Sequence, residues 1–342
     1  MKNIYLVQAN AVYGNEIKST YIPYAIGCLA AYAFSDEEIK SEYTLGKFIY
    51  TRKPLKEALQ ELTEPFLVGF SSSIWNNEYN KALAKEIKKA YPECITVFGG
   101  HQISPDTKKA FCEYQDADIL IHGGGEEAFR EILLSLKNGK SLSEISNISY
   151  RTEDGFRVTK RENPSTPDYP SPYLTGIFDP ILSDGYDFSA IIETNRGCPN
   201  HCAFCDWGIL RSKVRQFNIT KVYKELCWLS EKKIRYCYCA DANFGIFERD
   251  IEIARYVAEC SKKYGYPEVF KPCYAKDSDD TVFEAGYILN SNHIDKGVTL
   301  AYQTLDEKAL ENIGRKNLTL EHFSSLYSRY SEAGIPTYTE LI

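Results

Sequence analysis

Cys198, Cys202 and Cys205 fall within eight residues in the stretch ETNRGCPNHCAFCDWG (193–208), a C-x3-C-x2-C spacing. Thiols this close along a chain are suited to metal ligation. A [4Fe-4S] cube that only carries electrons takes four protein thiolates, so a set of three leaves one iron open to an outside ligand, and an open iron can do chemistry. With His201 the same residues could build a structural zinc site. Zinc sites, however, favour two close cysteine pairs about a dozen residues apart, and the downstream Cys237 and Cys239 form only a C-x-C. A disulfide framework is disfavoured, because 342 residues need no staples and MKNIYLVQANAVYG lacks a signal-peptide pattern.

A reactive loop needs a rigid scaffold, and the second half of the chain has the pattern of one. Short apolar runs at 190–193, 235–240, 270–275, 298–302 and 336–342 read as strands. Helical stripes lie between them: Val222, Leu226 and Leu229; Ile251, Ala254 and Ala258; Phe283, Tyr287 and Leu289. Repeated strand-helix units close as a barrel whose working face is the carboxyl end of the strands, and the cysteines follow the first strand directly. Three further segments carry polar groups toward that face: Asp241 and Asn243 in DANFG, Gln303-Thr304, and Gly314-Arg315-Lys316-Asn317. Each is a candidate contact to a nucleotide or substrate, although Asp241 or Asn243 could equally cap the next helix. His201 reads as a solvated loop residue.

The first half alternates in the same way. Apolar runs at 4–8, 66–70, 95–98 and 119–121 imply strands buried on both faces. Between them lie stripes at Ile22, Ile26, Leu29 and Ala33, at Tyr79, Leu83 and Ile87, and at Phe129, Ile132, Leu133 and Leu136, the last closed by Asn138-Gly139. The expected class is α/β, a doubly wound parallel sheet over 1–140 whose ligand sits beyond the carboxyl ends of the strands. Ser71, Ser72 and Ser73 follow one strand there, Gly99-Gly100-His101 the next, and His122-Gly123-Gly124-Gly125-Glu126 the last. Glycine admits close backbone approach and serine offers a short hydroxyl. Ser71, Ser72, Gly99, Gly100, Gly123, Gly124 and Glu126 are therefore candidate ligand contacts, and bulk added at Gly100 is expected to block a ligand. The plainer alternative is tight strand-to-helix turns. Residues 141–185 read as the connection: a hairpin around Asp154-Gly155, then NPSTPDYPSPYLTGIFDP, whose five prolines leave little room for regular structure.

Composition narrows the classes. A chain that is 44% hydrophobic and 25% charged is ordinary for about two globular domains. Net charge of -7 without a Lys/Arg block gives no footprint for nonspecific nucleic-acid binding. No run approaches the roughly 18–20 apolar residues of a membrane span. Eleven cysteines, an odd number, fit a reducing compartment, so a cytoplasmic location is expected; Cys28, Cys94, Cys112, Cys227 and Cys260 read as small buried side chains.

The cysteine spacing, with Phe204 before the third cysteine and the CDWG that contains it, resembles the signature of the radical S-adenosylmethionine enzymes. The resemblance implies that Cys198, Cys202 and Cys205 hold a [4Fe-4S] cluster whose open iron is chelated by S-adenosyl-L-methionine, which one electron cleaves to a 5′-deoxyadenosyl radical. Phe204, Asp241, Asn243 and Gln303 then become cofactor contacts, and 303–304 and 314–317 resemble the family's QS and N-R-K-N elements. GFSSSIWN (69–76), FGGHQISPD (98–106) and HGGGEEAF (122–129) resemble the cobalamin-binding domain that precedes the radical barrel in many members. The chain departs from that pattern in lacking D-x-H-x-x-G and in carrying His101 where proline is expected, so cobalamin would be held without a protein histidine on cobalt, or the sheet would only position substrate. The implied architecture is a cobalamin-binding-like domain (1–140), the linker (141–185), and a (β/α)6 radical-SAM barrel over 186–342 that stops at its fifth strand, with the natural protein expected to continue past Ile342. The implied function is cobalamin-dependent methyl transfer to an unactivated carbon of a small molecule or peptide, with an external electron donor such as a flavodoxin or ferredoxin. The alternatives are a cyclising, rearranging or sulfur-inserting radical enzyme, and a non-enzymatic zinc- or cluster-binding protein.

Overall fold

The computed structural model describes residues 1–162, 168–205, 207, 214–276, 280–300, 304–315 and 319–339. The chain divides into two compact units, Met1–Asp187 and Phe188–Ile342.

In the first unit, β1 (Lys2–Asn10) is followed by a short β2 (Ser19–Tyr21), then β3 (Tyr43–Leu45), β4 (Ile49–Thr51), β5 (Pro65–Ser71), β6 (Ile95–Gly99) and β7 (Ile119–Ile121). The sheet order is β3-β1-β5-β6-β7, all parallel, with β4 also on β1. A hairpin of β8 (Ile148–Thr152) and β9 (Gly155–Val158) adds antiparallel to β7. Leu67, Val68, Leu120 and Leu6 are fully buried although they alternate across the sheet, as strands covered on both faces require. The covering helices are α1 (Tyr24–Ala33), α2 (Glu37–Glu42), α3 (Leu55–Gln60), α4 (Asn77–Ala90), α5 (Thr107–Glu113) and α6 (Glu126–Asn138). Leu83, Ala84 and Ile87 of α4 join Val68, Phe70 and Phe98 in one core cluster, each large side chain contributing about 1.5–3 kcal/mol. Gly139 ends α6 with φ 62, the left-handed stop anticipated from Asn138-Gly139.

The proline-rich stretch is more than a connection. Tyr173 stacks on Tyr24 with centroids 5.8 Å apart, and Phe178 meets Phe48 at 6.2 Å. The ring of Phe178 lies so close to Gly27 that a Cβ there would come within 2.1 Å of it. Residues 168–187 thus cover α1 as part of the first unit.

In the second unit, β10 (Asp187–Ile192), β13 (Tyr236–Phe244) and β14 (Val269–Tyr274) are parallel neighbours. Two short strands, β11 (Asn195–Arg196) and β12 (Arg215–Gln216), pair antiparallel, and β15 (Val298–Thr299) pairs in parallel with β16 (Thr337–Tyr338). The helices are α7 (Ile219–Glu231), α8 (Arg249–Tyr264), α9 (Asp280–Ser291), α10 (Glu307–Asn312) and α11 (Leu320–Glu332). Ala190, Ile192, Cys237, Cys239 and Phe270 are fully buried on one face of the sheet, as are Val222, Leu226 and Leu229 of α7. The alternate residues Ser189, Ile191, Tyr238 and Lys271 are only half-buried. That difference between faces is what a partial (β/α) barrel requires, one face against helices and the other lining the interior.

Two expectations change. Cys112 is exposed on α5 and Cys227 is half-buried, its Sγ 3.9 Å from that of Cys260, because each lies on a helix flank that the core does not reach; Cys28, Cys94 and Cys260 are buried as expected. Gly100, at φ +103, would place a Cβ 2.5 Å from the Ser72 carbonyl oxygen and 2.9 Å from its nitrogen. Bulk at Gly100 therefore strikes the neighbouring loop, whatever ligand it also meets. Gly100→Ala is expected to destabilise the protein by on the order of 1–3 kcal/mol in thermal or denaturant unfolding. Gly123→Ala, at φ +76 with nothing within 4 Å of the added carbon, is expected to cost only about 1 kcal/mol.

Candidate functional site

The cysteine loop leaves β10 and is closed at its base where Asn195 pairs with Gln216 and Arg196 with Arg215. Within it Cys198 and Cys202 are buried and Cys205 is half-buried. The Cys205 N–H donates to the Cys202 carbonyl at 3.0 Å, so these two share one tight turn. Asn243, at the end of β13, donates from Nδ2 to Cys198 Sγ at 3.0 Å. Arg315, just past α10, donates from Nη1 to Cys202 Sγ at 3.3 Å. The Ala203 N–H also donates to the Ile313 carbonyl at 3.0 Å, fastening the loop to the end of α10.

This donor set fits an iron-sulfur cluster. It supplies three thiols and side-chain N–H donors to two of the sulfurs, and such hydrogen bonds are among the levers that set cluster potentials. His201 is exposed and adds no bond to the set. Phe204 is 51% exposed beside the cysteines. Gln303, Lys316 and Asn317 lie outside the described residues.

Asp241 and Asn243 are in β13 rather than in a loop after it, because the strand runs four residues beyond the expected end. Neither caps α8. Asp241 is fully buried, with Oδ1 accepting the N–H groups of Thr194 at 2.7 Å and Asn195 at 3.1 Å. Its Oδ2 accepts Asn195 Nδ2 at 2.8 Å and the Thr194 hydroxyl. The carboxylate is thus occupied with the two residues that launch the cysteine loop. Arg249 spans the loop's two ends, donating to the Phe217 carbonyl at 2.7 Å and the Thr194 carbonyl at 3.1 Å. Asp250, in the first turn of α8, reaches back to the loop before it: its Oδ2 accepts the Gly245 N–H at 2.8 Å and the Phe247 N–H at 3.2 Å, and α8 has no side-chain cap. Thr194, Arg249 and Asp250 had no motif to mark them; a buried acid can be recognised only when its burial is known.

In the first unit the serine and glycine loops are tied to one another. The Ser72 N–H donates to the Gly99 carbonyl at 2.7 Å, and Asn80 Nδ2 reaches both the Ser71 carbonyl and Ser72 Oγ at 3.1 Å. Ser72 is fully buried, Glu126 is buried as the first residue of α6, and Gly123 is exposed with Gly124 half-buried beside it. Of this group Gly100 and Gly123 are exposed and Ser71, Gly99 and Gly124 half-buried, while the buried Ser72, bonded to Gly99, holds the loops together.

Burial pushes the Asp241 carboxyl up to about 7, outweighing the hydrogen bonds that lower it. Burial likewise pushes Asp250 up to about 6. Both folded values exceed the ordinary 3.8, so the native state holds extra protons between about pH 4 and pH 7. Stability should therefore fall as pH rises through that window and level off above it. Asp250 Oδ1 is buried without a hydrogen-bond partner among the described residues, so an amide can replace the carboxylate while its oxygen still accepts both N–H bonds. Asp250→Asn is expected to raise stability at pH 8 by on the order of 1–3 kcal/mol and to change little at pH 4, as read in thermal melts across that range.

No family model matches the sequence. The chain is 34% identical over 330 residues, 94% of its length, to the cobalamin-dependent radical SAM methyltransferase TokK of Streptomyces tokunonensis, covering 48% of that protein. It is 33% identical to the 2-(S-pantetheinyl)-carbapenam-3-carboxylate methyltransferase of Streptantibioticus cattleyicolor, matching 100% of this chain and 50% of that protein. The chain thus spans about half the length of the curated relatives it matches. In fold it is similar to the radical S-adenosylmethionine methyltransferase TsrM of Kitasatospora setae, solved with tryptophan substrate and a SAM analog: TM-score 0.71 at 18% identity, covering 100% of this chain and 67% of that one. The cobalamin-dependent S-adenosylmethionine radical enzyme OxsB gives TM-score 0.74 at 17% identity, covering 100% of this chain and 49% of that one. Sequence similarity along both units, fold and cysteine loop agree: the chain belongs to the radical S-adenosylmethionine enzymes with an N-terminal cobalamin-binding domain.

Proposed function

We propose that this chain carries the cofactor sites of a cobalamin-dependent radical S-adenosylmethionine methyltransferase that methylates an unactivated carbon of a small molecule. The cysteine loop carries the reading: three thiols at the end of a barrel strand, two of them accepting side-chain N–H bonds from Asn243 and Arg315. Methyl transfer rests on the two curated relatives, both named as methyltransferases.

In this reading Cys198, Cys202 and Cys205 hold a [4Fe-4S] cluster, and residues 1–140 bind the corrinoid beyond the carboxyl ends of β5, β6 and β7. When bound, the cluster and S-adenosylmethionine supply one-electron chemistry and cobalamin supplies the methyl group; the protein's part is to orient them and exclude water. Asp241 and Arg249 fix the two ends of the cysteine loop, and Asn243 and Arg315 donate to its sulfurs. The electron comes from an external donor of the flavodoxin or ferredoxin class.

The test is anaerobic reconstitution with iron, sulfide, cobalamin, S-adenosylmethionine and a reductant, with mass spectrometry of the adenosine products. S-adenosylhomocysteine together with 5′-deoxyadenosine is expected. 5′-Deoxyadenosine alone would remove methyl transfer, and a tightly held zinc with no iron or sulfide would remove the radical chemistry too. Cys202→Ala is expected to abolish cleavage of S-adenosylmethionine. Asn243→Ala removes a hydrogen bond that favours the more negative, reduced cluster, so the midpoint potential should move to a more negative value in a titration followed by electron paramagnetic resonance.

A further inference from the structure

Three loops of the first unit meet at one buried hydroxyl. Ser149, near the start of β8, is fully buried. Its Oγ lies 3.0 Å from His122 Nε2, 3.3 Å from Thr107 Oγ1 and 3.3 Å from Arg161 Nη2. Thr107 is the first residue of α5 in the crossover from β6, His122 follows β7, and Arg161 follows β9. Because β8 runs antiparallel to β7 with Leu120 opposite Ser149, the serine lies one residue from the carboxyl end of β7, where His122, the first residue after that strand, reaches it. A hydroxyl has one proton and two lone pairs. Arg161 can only donate and fills one lone pair, so Thr107 and His122 share the other lone pair and the serine proton; with the serine proton donated to His122 Nε2, the histidine's own proton sits on Nδ1. Burial, aided by the neighbouring Arg161, brings His122 down to about 3, so the ring is neutral and the guanidinium is the only charge in the cluster.

That charge lacks a counterion. Burial holds Arg161 below its ordinary value, and among the described residues no carboxylate pairs with it. The adjacent Glu162 is already engaged, with Lys160 Nζ at 2.5 Å and Ser146 Oγ at 2.8 Å. The guanidinium of this exposed residue, held by its Nη2 on a buried hydroxyl, beside a half-buried imidazole whose Nδ1 makes no hydrogen bond among the described residues, presents a fork suited to an anion.

The inference rests on the cobalamin reading above and specifies it further. The corrin periphery carries neutral amides, and the anion of cobalamin is the phosphodiester of its nucleotide loop. We propose that Arg161, with the His122 Nδ1–H, binds that phosphodiester, and that Ser149 and Thr107 are positioning residues that hold the two donors in place. The site thereby distinguishes complete cobalamin from corrinoids that lack the phosphate.

The test compares binding of hydroxocobalamin, cobinamide phosphate and cobinamide by the wild-type protein and Arg161→Gln, followed by the corrinoid absorption change, with melting curves to verify folding. Wild type should prefer the two phosphate-bearing corrinoids. Arg161→Gln should weaken both by roughly tenfold or more, the size of one lost hydrogen bond to a charged group, and leave cobinamide unchanged. Arg161→Lys, which keeps the charge without the fork, should recover part of the loss. Equal weakening of all three ligands, or of none, would overturn this assignment while leaving the cobalamin reading intact. Failure of the folded wild-type protein to bind any corrinoid would overturn both.

Discussion

The second unit depends on a carboxylate that never meets solvent. Asp241 accepts four hydrogen bonds, all from Thr194 and Asn195, and its burial opposes the charge that makes those bonds strong. A buried charge is tolerated only when its acceptor sites are filled. The demand runs in both directions: the carboxylate needs those donors, and the donors are the last residues before the cysteine loop. The extension of β13 to Phe244 follows from the same constraint, since it carries Asp241 to the donors and Asn243 to the Cys198 sulfur along one strand. A single strand end thus fixes both the root of the loop and one of its sulfurs.

The first unit solves a related problem with neutral groups. Its loops are bound to each other through backbone carbonyls and short side chains, as where Ser72 bonds to Gly99 and Asn80 to Ser71 and Ser72. The bonds that join the serine and glycine loops are between neutral groups, and the closeness of Ser72 by itself requires glycine at position 100. Glu126 is buried where α6 begins, and at the sheet's edge Arg161 joins His122 and Thr107 on the Ser149 hydroxyl.

Much of this was legible in the sequence. The runs at 66–70, 95–98 and 119–121 became β5, β6 and β7 with small shifts at their ends, and the hairpin at Asp154-Gly155 formed as read. Their apolar content and turn residues are local signals. The strands β3 and β4 and the helices α3 and α5 were not legible, because three to seven residues hold too little of a period to register. The cysteines were evident from spacing alone, whereas Arg249, Asp250 and Ser149 act through partners 32 to 55, 3 to 5 and 12 to 42 residues away. The partners of Arg249 and Ser149 are too distant to leave a spacing to read, and Asp250, though its partners are local, lies among other acidic residues that look the same in sequence. In the proline-rich stretch the described residues include Tyr173 and Phe178, whose rings pack on the first unit, a contact that proline content alone does not announce.

The pairing of β11 with β12 has one more consequence. By joining Arg196 to Arg215 it turns the cysteine segment into a closed loop before any metal arrives. Closing a loop of that length costs on the order of 2–3 kcal/mol of chain entropy, and here the scaffold absorbs it as the barrel folds. Three thiols on a tethered loop act at a high effective concentration toward an incoming cluster, so the first sulfur to bind recruits the others without a further search. The frame that presents the cysteines is thus held by backbone pairing rather than by the thiols themselves.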